Sequence, residues 1–149
     1  MLDHTDPTLV NHVMAEHNEL FRRLTDLRTR FTASAAPTPA VIAATVADLA
    51  ELRRHLATHF AREEEGGLLE ESVARLPRLA AAAGGVLRQH PGLLGRLDAL
   101  VARLAAGKAG TWTEGAADFA AFAAALHDHE RAENAVFQEG HVEDLDLDD

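Results

Sequence analysis

Apolar residues recur along the chain at steps of three, four and seven, which is the spacing of the buried stripe on an amphipathic helix. Asp6 and Pro7 are typical of a helix start, an N-cap followed by a proline, and Thr38 and Pro39 repeat that signal. Four such stripes with short connections predict an all-α, antiparallel up-down four-helix bundle. The inward positions of the four stripes are Val10, Val13, His17, Leu20, Leu24, Leu27 and Phe31; Ile42, Thr45, Leu49, Leu52, Leu56, His59 and Glu63; Leu87, His90, Leu94, Leu97, Val101 and Leu104; and Phe119, Phe122, Leu126, His129, Glu133 and Val136.

Glycine and proline mark the predicted connections. Residues 66–67 are both glycine and are expected to end or bend the second helix, because residues 68–76 are again compatible with a helix. Residues 77–85, rich in alanine and glycine, are interpreted as a connector. Because the residue before a proline disfavours helical backbone, the third helix is expected to start at Pro91, with His90 at its N-terminal edge.

The last helix follows a glycine-containing turn at residues 107–110, and residues 111–114 resemble a capping box. Gly140 is predicted to end it. Residues 143–149 include five acidic side chains and are predicted to form a solvated, mobile tail. The chain is therefore predicted to be one domain over residues 1–149, with a bundle over about residues 6–140 and an acidic tail over residues 141–149.

Four histidines occupy inward positions where leucine would be usual. In a helical hairpin, residues equidistant from the turn lie at the same height, because the rise per residue is constant. His17 and His59 are symmetric about residue 38, and His90 and His129 are symmetric about residues 107–110. His59 and His90 are symmetric about residues 74 and 75. All four imidazoles are therefore predicted to lie at one level of the bundle.

Glu63 and Glu133 each stand four residues after an inward histidine, and hence on the same helix face. A buried carboxylate without a partner costs several kcal/mol, so a compensating charge is expected. Four imidazoles and two carboxylates can hold two divalent cations. If both carboxylates bridge, each cation receives about two imidazoles and two carboxylate oxygens, and positions remain for a bridging oxo or hydroxo group and an exogenous ligand. These donors favour iron or manganese, zinc is feasible, and copper is disfavoured.

Composition narrows the function classes. The chain has 149 residues, 47% of them apolar, and no cysteine, so a metal would take only nitrogen and oxygen donors. A formal net charge of −10 argues against nucleic acid or an anionic membrane as partner. No apolar stretch approaches a membrane span, and the first residues lack the pattern of a signal peptide. A cytoplasmic monomer or weak homo-oligomer with a small-molecule ligand is expected.

Four segments carry a resemblance to a known family: residues 16–21, with Glu16-His17-Asn-Glu-Leu-Phe; 59–64, with His59-Phe-Ala-Arg-Glu63-Glu64; 88–90, with Arg-Gln-His90; and 129–137, with His129-Glu-Arg-Ala-Glu133-Asn-Ala-Val-Phe. They resemble the hemerythrin-like HHE cation-binding family over about residues 10–137. The resemblance implies a four-helix bundle with a non-haem di-iron centre, which binds O2 in oxygen-carrying hemerythrins. Bacterial relatives are associated with the handling of oxygen, peroxide, nitric oxide or iron.

The chain departs from the oxygen carriers at three places. Their third helix has two histidines four residues apart, whereas His90 is followed by Leu94 here. Their fourth helix has an aspartate five residues after its histidine, a position held here by Asn134, and the carboxylate is instead Glu133. Pro91 also follows the third-helix ligand. The loss of one imidazole opens the site and favours reaction with peroxide or O2 over reversible carriage.

Three functions stay open at this point. As an enzyme, the protein would decompose peroxide or reduce O2. As a binding protein, it would store, deliver or sense O2, nitric oxide or iron without turnover. A third hypothesis is a structural bundle that holds zinc or no metal and acts through its acidic tail.

Several other polar residues are predicted to have no part in the site. His12 and Glu16 are four residues apart, but positions 12, 16, 19 and 23 lie opposite the stripe and are interpreted as a solvated face. His55 is expected at the surface, with a role behind a ligand or at a pocket rim as the alternative. The remaining histidines are predicted to face solvent: His4, His127 and His141.

Glu64 and Glu65 are interpreted as part of a solvated charge run. For His90, a purely structural role is kept as an alternative, because Pro91 disturbs its surroundings. Three phenylalanines near the histidines are expected to be core residues that also keep the pocket dry: Phe21, Phe60 and Phe137.

Overall fold

The computed structural model describes residues 7–108 and 110–147, and the side chains of residues 14–108 and 110–140. Within those ranges the chain is mainly helical and has no β-strand. Asp6, the predicted first N-cap, lies outside the described residues. The elements are α1 (Pro7–Ala33), α2 (Pro39–Glu64), α3 (Leu68–Arg75), a 3₁₀ helix (Pro77–Leu79), α4 (Ala80–Arg88), α5 (His90–Ala105) and α6 (Thr111–Leu147).

The four long helices, α1, α2, α5 and α6, form the predicted four-helix bundle. Each packs against two neighbours, in the cyclic order α1, α2, α5, α6. The short helices α3 and α4 pack mainly against α6. In the described part of the chain, no helix combines the length and the apolar character needed to cross a membrane.

Local signals set the limits of α2 as expected. Thr38 is its N-cap, and the backbone N–H of Val41 donates to Thr38 Oγ1 at 3.2 Å. At the other end, Gly66 adopts φ of +102°, a backbone conformation that side-chain-bearing residues rarely take. The glycine pair therefore ends α2 rather than bending it, and the chain turns into α3.

The main hydrophobic core lies between the four long helices and consists almost entirely of leucine and phenylalanine. In α5, Leu93 and Leu100 are buried, whereas Leu94 and Val101, which the sequence predicted to face inward, are only partly buried. The helix runs without a break from His90, so its inward face follows steps of three and then four from that residue. The residues of this core are Leu20, Leu24, Leu27, Phe31, Leu49, Leu52, Leu56, Phe60, Leu93, Leu97, Leu100, Leu104, Trp112, Phe119, Phe122, Ala123 and Leu126.

The predicted connector at residues 77–85 was wrong, because that segment is helical. Alanine has the highest helix propensity, and the run of alanines continues directly from the 3₁₀ helix into α4. These elements bury a second, smaller apolar cluster against α3 and α6. Its buried members are Leu69, Leu79, Ala83, Val86 and Val136.

Gly140 does not end the last helix, as the sequence had predicted, because α6 continues to Leu147. The predicted acidic tail therefore begins within a helix, and the side chains of residues 141–147 are outside the described residues. A Cβ atom at Gly140 would lie 3.0 Å from Cβ and 3.2 Å from Cα of Ser72 in α3. The glycine is explained by this close approach of α3 to α6 and not by a left-handed cap.

Gly140→Ala is expected to lower the free energy of unfolding by about 1–3 kcal/mol, because the added methyl group meets the backbone of α3. Urea unfolding followed by circular dichroism measures the change. Gly95→Ala in α5 is the matched control, since nothing lies within 4 Å of its added Cβ. The control should gain about 0.5–1 kcal/mol from the better helix propensity of alanine. Equal stability of Gly140→Ala and the wild type would contradict the close approach.

Candidate metal centre

The structure brings the four inward histidines together in two pairs. His17 in α1 and His59 in α2 have ring centroids 5.1 Å apart, and so do His90 in α5 and His129 in α6. All four are buried, with exposed fractions of 8%, 4%, 2% and 2% respectively. The hairpin symmetry found in the sequence therefore corresponds to real proximity, including for His90, the first residue of its helix.

Glu63 lies between the two histidine pairs. Its Oε2 is 3.3 Å from Nε2 of His59, and its Oε1 is 3.0 Å from Nε2 of His90. The carboxylate thus directs one oxygen towards each pair. The i to i+4 spacing within α2 explains the contact with His59, and the packing of α2 against α5 supplies the contact with His90.

Glu133 makes the corresponding approach to the other two histidines. Its Oε1 is 3.7 Å from Nε2 of His17, and its Oε2 is 3.7 Å from Nε2 of His129. Each histidine pair is therefore accompanied by one oxygen from each of the two carboxylates. Donor atoms of His17, His59 and Glu133 lie within 4.8 Å of one another, as do those of Glu63, His90 and His129.

The inward atoms of this cluster are buried but not hydrogen-bonded. Some of these atoms lie close to one another, but within the described residues no hydrogen bond of acceptable geometry is formed by Nε2 of the four histidines, both carboxylate oxygens of Glu63 or Oε2 of Glu133. Buried polar atoms in folded proteins are nearly always hydrogen-bonded, so seven such atoms close together indicate a partner of another kind. Nitrogen and carboxylate oxygen donors in this arrangement fit divalent cations of the iron, manganese or zinc type.

The outward ring nitrogens of three histidines contact side-chain acceptors. His59 Nδ1 lies 2.5 Å from Oε2 of Glu16, and His129 Nδ1 lies 2.7 Å from Oε1 of Gln89. His90 Nδ1 lies 3.4 Å from Oε2 of Glu64. When Nδ1–H donates a hydrogen bond outward, Nε2 is unprotonated and its lone pair points inward, as metal-binding histidines require.

The two carboxyls respond differently to their common burial. Burial raises the pKa of Glu63, but the imidazoles of His59 and His90 outweigh that effect and hold the pKa well below its usual range. Burial raises the pKa of Glu133 above its usual range, and the Glu63 carboxylate adds to this rise against the influence of His17. The metal-free centre therefore favours one ionised and one protonated carboxyl, because two adjacent negative charges repel each other.

The histidines also differ in their protonation. Burial opposes protonation of His59, but the adjacent Glu63 carboxylate outweighs this effect and raises the pKa of the imidazole. Burial lowers the pKa of His129 to about 4. His129 is consequently neutral near pH 7 and ready to donate a lone pair, whereas His59 holds its proton more tightly than a free histidine.

Phe60 forms an apolar wall beside the centre. Its ring is stacked on that of His90, with centroids 3.8 Å apart and planes 3° apart, and it meets His129 edge-on at 5.3 Å. It is 1% exposed, as predicted for a core residue. The prediction that Phe21 and Phe137 are core residues was wrong, since Phe21 is 43% exposed and Phe137 is only half-buried. Phe60 alone of the three closes off the His90–His129 side.

Two cavities reach the glutamates of the centre. The larger, of about 250 Å³, is lined by His59, Glu63 and Glu133 and opens beside the glycine turn after α2. The smaller, of about 40 Å³, touches His17 and Glu133. Neither of these two cavities is lined by His90 or His129. The His17–His59 half is therefore the accessible half of the centre.

Sequence reasoning missed several residues that support the centre. Glu16 does not belong to a solvated face, because it is half-buried between α1 and α2 and contacts His59. Glu64 is exposed, but it reaches His90, and Gln89 reaches His129. A usable signal for Glu16 was its position beside an inward histidine, at the edge of the stripe where helices meet.

Glu130 is a further missed residue, buried to 4% exposure, and burial raises the pKa of its carboxyl. His55 lies outside the centre: its Nε2 is 3.1 Å from Nη2 of Arg23 and 3.5 Å from Oε1 of Glu51. His127 is exposed, as predicted. The side chains of His4, His12 and His141 are outside the described residues.

Comparison with known proteins gives one finding. The sequence profile of the hemerythrin HHE cation-binding domain matches residues 8–139. No curated protein and no solved structure gives a significant match to the chain. The matched range covers most of the chain and includes all six buried histidine and glutamate residues of the centre. The chain therefore belongs to the hemerythrin HHE cation-binding domain family.

Proposed function

We propose that this protein holds two iron ions in the centre and binds or reacts with a small oxidant, namely O2, peroxide or nitric oxide. His17 and His59 would hold one ion, His90 and His129 the other, and both would share the carboxylates of the two glutamates. The observation that carries this proposal is the set of seven buried, inward-facing donor atoms without hydrogen-bond partners in the described chain. The proposed ligands are His17, His59, Glu63, His90, His129 and Glu133.

The placement of the carboxylates supports two cations rather than one. Each carboxylate directs one oxygen towards each histidine pair, so a cation at either pair would be balanced by both negative groups. A pair of iron ions supplies redox chemistry and Lewis acidity when bound. The chain contributes a fixed set of donors, neutral imidazoles oriented through their Nδ1 atoms, and exclusion of water by Phe60.

The cavities indicate what kind of molecule reaches the centre. The larger has a volume of about 250 Å³, which is more than enough for a molecule of a few atoms, and the smaller, of about 40 Å³, has room only for a molecule of that size. Its lining includes the carboxylates of Glu16, Glu63, Glu65 and Glu133, with Arg62 as a basic member. This surplus of negative charge favours neutral molecules and cations over anions. Neutral oxidants such as O2, hydrogen peroxide and nitric oxide fit these requirements.

Metal analysis with visible spectroscopy tests the proposal on untagged, aerobically purified protein. We expect two irons per chain, one for each donor group, with charge-transfer absorption that changes when peroxide is added. Zinc alone, or no stoichiometric metal after anaerobic loading with iron, would contradict the proposal and favour the structural alternative.

Peroxide consumption then separates catalysis from binding. Rapid O2 evolution from hydrogen peroxide by the iron-loaded protein would identify an enzyme of catalase type. Negligible consumption, with a slowly autoxidising O2 adduct or a stable nitric oxide adduct, would identify a carrier or sensor. The metal-free protein and the Glu63→Leu variant are the matched controls, because neither should hold the intact centre.

A further inference from the structure

Glu16 connects the candidate centre to the protein surface through two contacts. Its Oε2 lies 2.5 Å from Nδ1 of His59, and its Oε1 pairs with Nη1 of Arg62. Its side chain is 17% exposed, whereas that of Arg62 is 53% exposed. The carboxylate therefore sits between a buried imidazole and a solvated guanidinium, and it links α1 to α2 directly beside the centre.

The other outward ring nitrogens have weaker partners. The acceptor at His129 is the neutral amide of Gln89, at 2.7 Å. The carboxylate at His90 belongs to Glu64, which is 3.4 Å away and 53% exposed, so water screens it. Among these three described contacts, His59 has the shortest one, and its partner is a charged group on a neighbouring helix.

We infer that Glu16 is a positioning residue for the His17–His59 half of the centre, an inference that rests on the proposed binding of two cations. By accepting a hydrogen bond from Nδ1–H, Glu16 keeps the imidazole of His59 in the tautomer whose unprotonated Nε2 faces Glu63. A carboxylate acceptor also makes the imidazole a stronger donor to a cation than an amide acceptor does. The two halves of the centre are thus supported unequally by the chain.

Glu16 has a second consequence for the same half. Together with His59 and Arg62, it lines both the cavity of about 250 Å³ and a neighbouring groove of about 400 Å³ between α1 and α2. The pair of Glu16 and Arg62 therefore stands between the groove and the cavity. Shortening Glu16 would remove the acceptor of His59 and join the two spaces, which would admit water to the imidazole.

The experiment isolates one half of the centre and uses Co²⁺ alone as the probe. In a His129→Ala background, one cation position remains, formed around His17 and His59. Titration with Co²⁺, followed by its visible spectrum, is expected to show a 10- to 100-fold weaker affinity when Glu16→Ala is added, the usual effect of removing such a partner. Glu16→Gln keeps an acceptor without the charge and is expected to give a smaller loss.

Glu19→Ala is the matched control, because Glu19 is a glutamate of the same helix that pairs with Arg22 and Arg23. It should leave the Co²⁺ affinity unchanged. In a His59→Ala background, the remaining cation position is the one around His90 and His129. Glu16→Ala should then have no further effect on the Co²⁺ affinity. A loss of the same size in that background, an equal loss from the control, or no loss in the first background would each overturn the inference.

A second measurement needs no metal. At a pH where the imidazole is neutral, nitrogen-15 NMR of the metal-free wild-type protein should show His59 as the tautomer protonated at Nδ1, and this signature should be lost in Glu16→Ala. If the wild type binds no Co²⁺, the proposed function fails together with the role in affinity, while the NMR result still decides whether Glu16 orients His59. If the wild type binds two Co²⁺ and Glu16→Ala binds them equally well, the inference alone fails.

Discussion

Glu63→Leu is expected to abolish the proposed two-cation centre and leave the four-helix bundle folded. Glu63 has one oxygen 3.3 Å from His59 Nε2 and the other 3.0 Å from His90 Nε2, so its loss removes a donor from both cation positions. Glu133→Leu should act in the same way through His17 and His129. Inductively coupled plasma analysis would measure the metal per chain, and circular dichroism would report the helix content.

The metal-free Glu133→Leu variant should also be more stable than the metal-free wild type, because leucine replaces a carboxyl whose ionised form is disfavoured by burial. Glu63→Leu should give no such gain, because it removes the carboxylate that pairs with His59 and His90. Glu51→Leu, at a half-buried position of α2 where the glutamate pairs with Arg54 and His55, is the matched control and should leave the metal content unchanged. Retention of two metals per chain by either variant would exclude the assignment of a shared carboxylate.

Cation affinity should increase steeply with pH from about pH 5 to neutrality, because protons and cations compete for the same donors. In the metal-free protein, burial raises the pKa of Glu133, and the Glu63 carboxylate raises that of His59 against the effect of burial. Each proton that a cation displaces makes the apparent affinity fall about tenfold per unit of decreasing pH. His129 does not contribute in this range, since its pKa is about 4.

Glu133 should make the stability of the metal-free protein decrease as the pH rises, whereas the cation affinity increases. Its pKa is raised on folding, so its stabilising contribution is full below the ordinary carboxyl pKa of about 4.3 and is lost as the pH rises through the raised value. Co²⁺ titrations and urea unfolding between pH 5 and 8 would measure both trends. Glu133→Gln should flatten both, and a pH-independent affinity in the wild type would contradict the proton competition.

The level arrangement of the four histidines was accessible from sequence because helix geometry is regular. A constant rise per residue converts equal distances from a turn into equal heights, and an i to i+4 step places a glutamate beside its histidine. His59 and Glu63 needed no knowledge of tertiary structure beyond that. Even His90 follows the rule, because α5 includes it as its first residue.

Features that depend on how two particular helices approach each other were not accessible in the same way. The contact of Glu16 with His59 depends on the rotation of α1 relative to α2, which a single stripe defines only within a residue or so. The same uncertainty in the phase of a stripe explains why Leu94 was predicted to face inward, whereas Leu93 is the buried residue. Gly140 shows another limit, since a glycine that allows close packing and a glycine that ends a helix look alike in sequence.

The polar layer formed by the six candidate ligands also fixes the axial alignment of the four long helices. Along α6 this layer separates Leu126 of the main core from Val136 of the second cluster, so it has apolar packing above and below. Sliding one helix by a single turn, about 5.4 Å, would move a histidine or glutamate among leucines. Each buried polar group left without partners there costs about 1–3 kcal/mol. Leucine layers alone would tolerate such a shift far better, so the charged layer selects one alignment of the bundle.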